Sequence, residues 1–311
     1  MLQNVFDQFI EGLSIKTKET TASSYHTLAT NHLLYKFKDR DIVTISEDEL
    51  IRHIMNEKTN HLLNDDKELS TKTIYDITTL VNTLWAFAFK KGYITEKIHI
   101  NTPKLQKRKI QIFHESETKK LEKYALKEKS PCSIAILLCL YTGLRIGEVC
   151  GLRWADIDLK LKTIYISKTA IRTKNLSDNK AKTKIIIGSP KSTASIRTIP
   201  IPTILIKYLR KAKRGDNDYI TTGTNTLMEP RLLQKRYKTT LKMANVPYKN
   251  FHSIRHTFAT NAYNNGMGIK ILSEILGHAS INTTLNLYVH TSMAQKHKEI
   301  NKIYSTVKSF Q

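Results

Sequence analysis

The sequence predicts a mainly α-helical chain that carries one small antiparallel β-sheet. Apolar residues recur at helical spacing through residues 1–105. Short β-prone runs cluster only between Thr163 and Pro200. From Pro202 onward the pattern is helical again.

Taken in order, Val5, Phe6, Phe9, Ile10 and Leu13 place a first helix at the start of the chain. A second is predicted from about Thr20 to Leu34. A third begins near Ser46, where Ser46-x-x-Glu49 has the form of a capping box. A fourth runs from about Ser70 to Lys91, with Ile74, Ile77, Leu80, Val81, Leu84, Phe87 and Ala88 on its apolar side and Gly92 as its stop. Residues 1–105 therefore form a small helical bundle. A basic linker follows at 106–113, after Pro103 has broken any helix. It carries Lys107, Arg108 and Lys109, with Lys104 just ahead, and suits a strap over a phosphate backbone.

The second domain, 114–311, opens with helices near Ser116 and Pro131, where proline fits a first turn. The apolar run Ile134–Tyr141 is too short to span a bilayer and reads as a helix buried on all sides. Thr163–Ser167, Lys184–Ile187 and Ser195–Pro200 are then expected to form three antiparallel strands. After Tyr288, Met293, Ile300, Ile303, Tyr304 and Val307 form an apolar helical stripe.

The charge balance narrows the partner. The 311 residues include 50 Lys and Arg against 27 Asp and Glu, a formal charge of +23. Such a surplus points to a polyanion, because basic side chains that meet backbone phosphates release counterions. The three cysteines are odd in number and lack zinc-finger spacing, and the opening residues have no signal-peptide pattern, so a reducing cytoplasm is expected. No phosphate-binding glycine loop and no acidic cluster for a metal is present, so neither a nucleotide nor a metal cofactor is expected.

Chemistry concentrates in four motifs. Thr142-Gly143-Leu144-Arg145-Ile146-Gly147-Glu148 places Arg145 at a predicted helix start, where a guanidinium and backbone amides would both meet an anion. His252 and Arg255 are three apart and share a helix face. His256 faces elsewhere and suits packing. Gly277 caps a helix and leaves His278 positioned after it. Tyr288 follows alone. A phenol is a poor nucleophile until cations favour its phenolate.

In this order and spacing the motifs resemble the tyrosine recombinase, or phage integrase, family over nearly the whole chain. They are Thr-Gly-Leu-Arg-Ile-Gly-Glu at 142–148, His-Ser-Ile-Arg-His-Thr-Phe-Ala-Thr at 252–260, and Leu-Gly-His at 276–278 with Tyr288 beyond. The resemblance implies a SAM-like core-binding domain followed by an α+β catalytic domain. It also implies site-specific DNA cutting and rejoining through a 3′-phosphotyrosine, with no metal or ATP. Tyr288 would attack, Arg145 and Arg255 would hold the phosphate, and His278 would add a hydrogen bond. His252 would manage the tyrosine proton. Lys191, chosen over Lys182 and Lys184, would protonate the departing 5′-oxygen. Glu148 matches the family's acidic position and would brace the site.

The implied partners are double-stranded DNA with core-type sites, a homo-tetramer built by exchange of the C-terminal helix, and an accessory DNA-bending or directionality factor. No membrane is involved, and the expected location is the bacterial cytoplasm, at the nucleoid. The expected role is an integrase of a mobile element or prophage. A Xer-like resolvase or invertase competes, because the chain begins almost at once with the core-binding bundle. A type IB topoisomerase, a non-catalytic DNA-binding regulator and an RNA-binding protein are weaker alternatives.

Overall fold

The computed structural model describes residues 1–59, 68–106, 110–175, 183–190 and 193–288, together with positions 297, 300 and 301. By contact the chain divides into two compact units, Met1–Arg108 with Thr173–Lys184, and Lys109–Arg172 with Ile185–Gln311.

The first unit is built from helices. α1 (Leu2–Lys16) buries Leu2, Val5, Phe6, Phe9 and Ile10 along one face. α2 (Glu19–Ala29) runs on through a π-helical turn, Thr30–Leu34, into the short α3 (Tyr35–Phe37). α4 (Glu47–Thr59) starts where the Ser46 hydroxyl accepts the Glu49 amide at 3.2 Å, and its first turn is acidic, which suits the helix dipole. Inside the unit, Glu57 accepts from Tyr35 at 2.5 Å and lies 2.7 Å from His32 Nδ1, so both oxygens of its buried carboxylate are partnered locally. α5 (Thr71–Lys90) is capped by Ser70 and drives Ile77, Leu80, Val81, Leu84 and Trp85 into the core.

The second unit surrounds α7 (Pro131–Thr142). Ser130 caps α7, proline occupies its first turn, and residues from Cys132 to Leu140 are buried on every side. α6 (Glu115–Glu128) packs against α7, and α8 (Ile146–Gly151) follows directly after a break at Gly143–Arg145. Cys132, Cys139 and Cys150 are all buried free thiols in this layer. Five strands come next in the chain: β1 (Ile157–Asp158), β2 (Thr163–Ile166), β3 (Thr169–Lys174), β4 (Thr183–Gly188) and β5 (Arg197–Pro200), of which the end of β3 and the start of β4 are grouped with the first unit. The remaining helices are α9 (Thr203–Ala212), α10 (Pro230–Met243), α11 (His252–Asn264), α12 (Ile269–Leu276) and α13 (Ile281–Tyr288).

The single three-stranded sheet expected from sequence is corrected here. β2 pairs antiparallel with β5 and with β1, in the order β1-β2-β5. The middle run, β4, leaves that sheet and joins β3 in a separate two-stranded sheet. β3, Thr-Ala-Ile-Arg-Thr-Lys, has too little apolar alternation to announce itself, and its strand character comes from β4. In the larger sheet Ile164 pairs with Ile199 and Ile166 with Arg197, and the three isoleucines are at most 1% exposed.

Candidate active site

α7 ends at Gly143, whose φ of +68° is a left-handed conformation that favours glycine. Glycine is also required for space. A Cβ there would lie 2.6 Å from Phe258 Cδ1 and 2.8 Å from Leu276 Cδ2. The break turns the chain so that Arg145 becomes the N-cap of α8. Its backbone N–H donates to Glu148 Oε2 at 2.9 Å, and its Nη1 donates to Glu148 Oε1 at 2.7 Å. The amide expected to face an anion is therefore already committed to this capping box. The guanidinium, about one third exposed, is the group left facing outward, and its Nη2 also donates to Gly277 O at 3.1 Å.

Arg255 lies one turn into α11 and is 1% exposed. Its Nη1 donates to Gly143 O at 2.8 Å and its Nη2 to Leu276 O at 2.7 Å. The same Nη2 meets His278 Nε2 at 2.8 Å. On its other side His278 Nδ1 meets the hydroxyl of Thr284, a fully buried residue of α13, at 2.8 Å. His278 follows Gly277, which caps α12 at φ +64°. Two arginines from α8 and α11 thus converge on the turn at 276–278, which leads into α13. α13 packs against α11 and α12.

The histidines are tuned alike. Burial, then the charges of Arg255, Arg145 and Arg197, lowers His278 to about 4. Desolvation by the surrounding atoms, then His256, Arg255 and Arg145, lowers His252 to about 4, although the residue as a whole is exposed. His256, expected to face elsewhere, is corrected here: four residues on from His252 it shares that face of α11, packs edge-on against His252 with ring centroids 4.5 Å apart, and is lowered to about 4 by burial and then Arg255. All three rings are neutral at pH 7 and can accept protons.

Glu148 is 3% exposed. Burial opposes its ionisation, but hydrogen bonding and charge from Arg197, with Arg145 behind, outweigh it and hold the carboxyl below its ordinary value. Arg197 and Thr284 are the residues that sequence reasoning missed. Arg197 sits in plain view in Ser195-Ile196-Arg197-Thr198-Ile199, where strand alternation puts it on the face of Ile199.

The Arg145–Glu148 pair and the Arg255–His278 pair meet at the turn 276–278, where Arg145 donates to Gly277 O and Arg255 to Leu276 O, and His252 feels the charges of both arginines. Tyr288 is the last residue of α13, and its side chain lies outside the described atoms. Lys191 lies outside the described residues, between β4 and β5 in sequence. Lys184 lies in β4, and Lys182 is also outside the described residues. Of the linker cations, Lys104 is exposed, while Lys107, Arg108 and Lys109 lie outside the described residues. In the C-terminal stripe, Ile300 is 52% exposed, and Met293, Ile303, Tyr304 and Val307 lie outside the described residues. Among the described residues, no helix is long and apolar enough to cross a membrane.

The model of the phage integrase family matches residues 109–295. A protein of Caldanaerobacter subterraneus, tyrosine recombinase XerC-like, is 37% identical over 254 residues, 73% of this chain and 64% of that protein. The match thus spans a little under two thirds of that relative's length. The transposase from transposon Tn916 of Enterococcus faecalis is 29% identical over 189 residues, 54% of this chain and 44% of that protein. The solved structure of the Tn1549 transposon integrase in complex with a circular intermediate DNA superposes with a TM-score of 0.74 and 20% identity, covering 97% of this chain and 99% of that one. At that identity the likeness is one of fold.

Proposed function

This chain belongs to the phage integrase family, and from that premise we propose that it is a site-specific tyrosine recombinase, the integrase of a mobile element. Its substrate is double-stranded DNA at core-type sites. Tyr288 Oη attacks the scissile phosphorus, forming a 3′-phosphotyrosine bond as the bond to the 5′-oxygen breaks. His252, neutral at pH 7, takes the phenolic proton. Lys191 gives a proton to the departing 5′-oxygen. Arg145 and Arg255 stabilise the charge that builds on the non-bridging oxygens. Attack by a 5′-hydroxyl from a second strand reverses the chemistry and completes the exchange.

The observation that carries this reading is the convergence of Arg145 and Arg255 on the turn 276–278, with His278 held between Arg255 and the helix that ends in Tyr288. The charge of +23 supports DNA as the partner. The names of the relatives support both an integrase and a Xer-like role. Residues 1–105 would grip the outer face of the duplex, with Lys104, Lys107, Arg108 and Lys109 along the backbone. Four protomers would assemble on two duplexes by exchanging the segment after Tyr288, in the cytoplasm at the nucleoid, with an accessory factor setting direction.

A nicked suicide substrate carrying the sequences that flank the gene's own element tests this. Wild type should give an SDS-stable protein–DNA adduct mapped to a 3′-linkage. Supercoil relaxation without recombinants would favour a topoisomerase. DNA binding with no adduct on any flanking sequence would favour a regulator. Truncation near Ser292 tests the exchange: unchanged assembly on DNA would reject it.

A further inference from the structure

We infer that Arg197, which the chemistry above leaves unused, is a positioning residue: it locks the Glu148 carboxylate, and Glu148 in turn aims Arg145 at the phosphate. The inference rests on the recombinase reading of this site.

Arg197 points inward because β5 alternates. Ile199, on the same face, is 1% exposed, while Thr198 and Pro200 are exposed. A guanidinium on an inner sheet face must be fully partnered. Nη1 donates to Glu148 Oε1 and Nη2 to Glu148 Oε2, both at 3.1 Å. Nε donates to Ile275 O at 2.6 Å, and Nη1 also to Ser195 O at 2.9 Å. The Arg197 side chain is 7% exposed and that of Glu148 2%.

One buried carboxylate therefore receives two guanidinium groups of different character. Arg197 grips both oxygens from within and has nowhere else to go. Arg145, about one third exposed, reaches the same carboxylate with Nη1 and donates through Nη2 to Gly277 O. With both Glu148 oxygens fixed from behind, Arg145 has one direction left, outward over the 276–278 turn. Arg197 holds that turn as well. It bonds the Ile275 carbonyl, and a Cβ on Gly277 would lie 2.7 Å from its Nη1. Ser195, whose carbonyl it also holds, donates to Gly277 O at 3.3 Å. A single side chain from the sheet thus sets the spacing between α8 and the turn that presents His278.

The test is single-turnover cleavage of a nicked substrate by wild type, Arg197→Ala and Arg197→Lys, with melting temperatures measured in parallel. A second substrate carries a methylphosphonate at the scissile position, which removes the anionic oxygen that Arg145 would hold. Arg197→Ala should slow cleavage at saturating DNA by about tenfold or more while the half-saturating concentration moves less than about threefold. That defect should shrink on the methylphosphonate. Arg197→Lys keeps the charge without the two-pronged grip, so it should regain melting temperature but little of the rate. An Arg197→Ala protein, assayed where it is folded, that cleaves within about twofold of wild type would overturn the role. So would an equal defect on both substrates, or a full rate in Arg197→Lys. A wild type that forms no adduct would overturn the recombinase reading and this role with it.

Discussion

The Arg255 guanidinium donates through Nη2 to His278 Nε2 at 2.8 Å, and this bond defines the tautomer of the histidine. Arginine carries donors only, so Nε2 accepts, and the ring proton sits on Nδ1, where it donates to the Thr284 hydroxyl. In that state Nε2 has no proton to offer a phosphate. His278 can donate to substrate only after it gains one.

DNA binding should therefore take up protons. His278 is held at about 4 by burial and by the arginine charges around it. A phosphodiester placed among those charges cancels part of their effect and raises the ring toward its ordinary value of about 6.5. The bound protein then holds more protons than the free protein between these limits, and affinity rises as pH falls through that window. Calorimetry at pH 6 in two buffers of different ionisation enthalpy reads the uptake directly. Equal heats in both buffers would reject it, and His278→Ala should lose the difference.

The free protein should be acid-labile for the same reason. His252, His256 and His278 each titrate near 4 when folded, and near 6.5 when unfolded. Between those values the unfolded chain binds more protons. The stability is fully present above about 6.5 and is lost as pH falls toward 4. Allowing for solvent screening, the partly buried His256 and His278 should contribute roughly 1 kcal/mol each, and the exposed His252 less. Urea midpoints at pH 7.5 and pH 5 measure this, and equal midpoints would contradict it.

Arg145 and Arg255 should separate in their mutants. Arg145 is partly exposed, so Arg145→Ala should lower cleavage by about a hundredfold with little loss of stability. Arg255 is buried against two carbonyls and His278. Arg255→Ala should lose the rate and also about 3 kcal/mol of stability, because those acceptors are left without a donor. Melting curves beside single-turnover rates distinguish them. Matched stability in both variants would mean that Arg255 is not the pillar described.

Gly277→Ala should be destabilising by about 1–2 kcal/mol. Its φ of +64° disfavours a side chain, and the new Cβ would press on the Arg197 guanidinium and on Ala194 O. Thermal melting checks this, and a wild-type midpoint would show that the turn yields.

Tyr288→Phe should form no covalent adduct while binding DNA within about twofold of wild type. Gel shift and denaturing electrophoresis on the same samples decide it. An adduct from the phenylalanine variant would assign the nucleophile elsewhere.

Local physics makes much of this fold legible in the sequence itself. The helices of residues 1–105 announce themselves through apolar spacing, and Gly143 and Gly277 through their place after apolar runs. Arg145, His252, Arg255 and His278 stand out because their motifs are compact. What stays hidden depends on partners far along the chain. Arg197 meets Glu148 across 49 positions, and Arg145 meets Gly277 across 132. β3 becomes a strand only beside β4. No window of local sequence contains those pairs, so neither the second sheet nor the role of Arg197 can be read there.

The cysteines have a practical consequence at the bench. Burial raises Cys132 to about 11 and Cys150 to about 12, and Cys139, deeper still, well above its ordinary value. Thiolate is the reactive form, so all three should ignore maleimides in the folded protein. The native chain is then a silent background for fluorophore chemistry. A single cysteine introduced on an exposed helix face could carry a dye without first stripping the core of its own thiols.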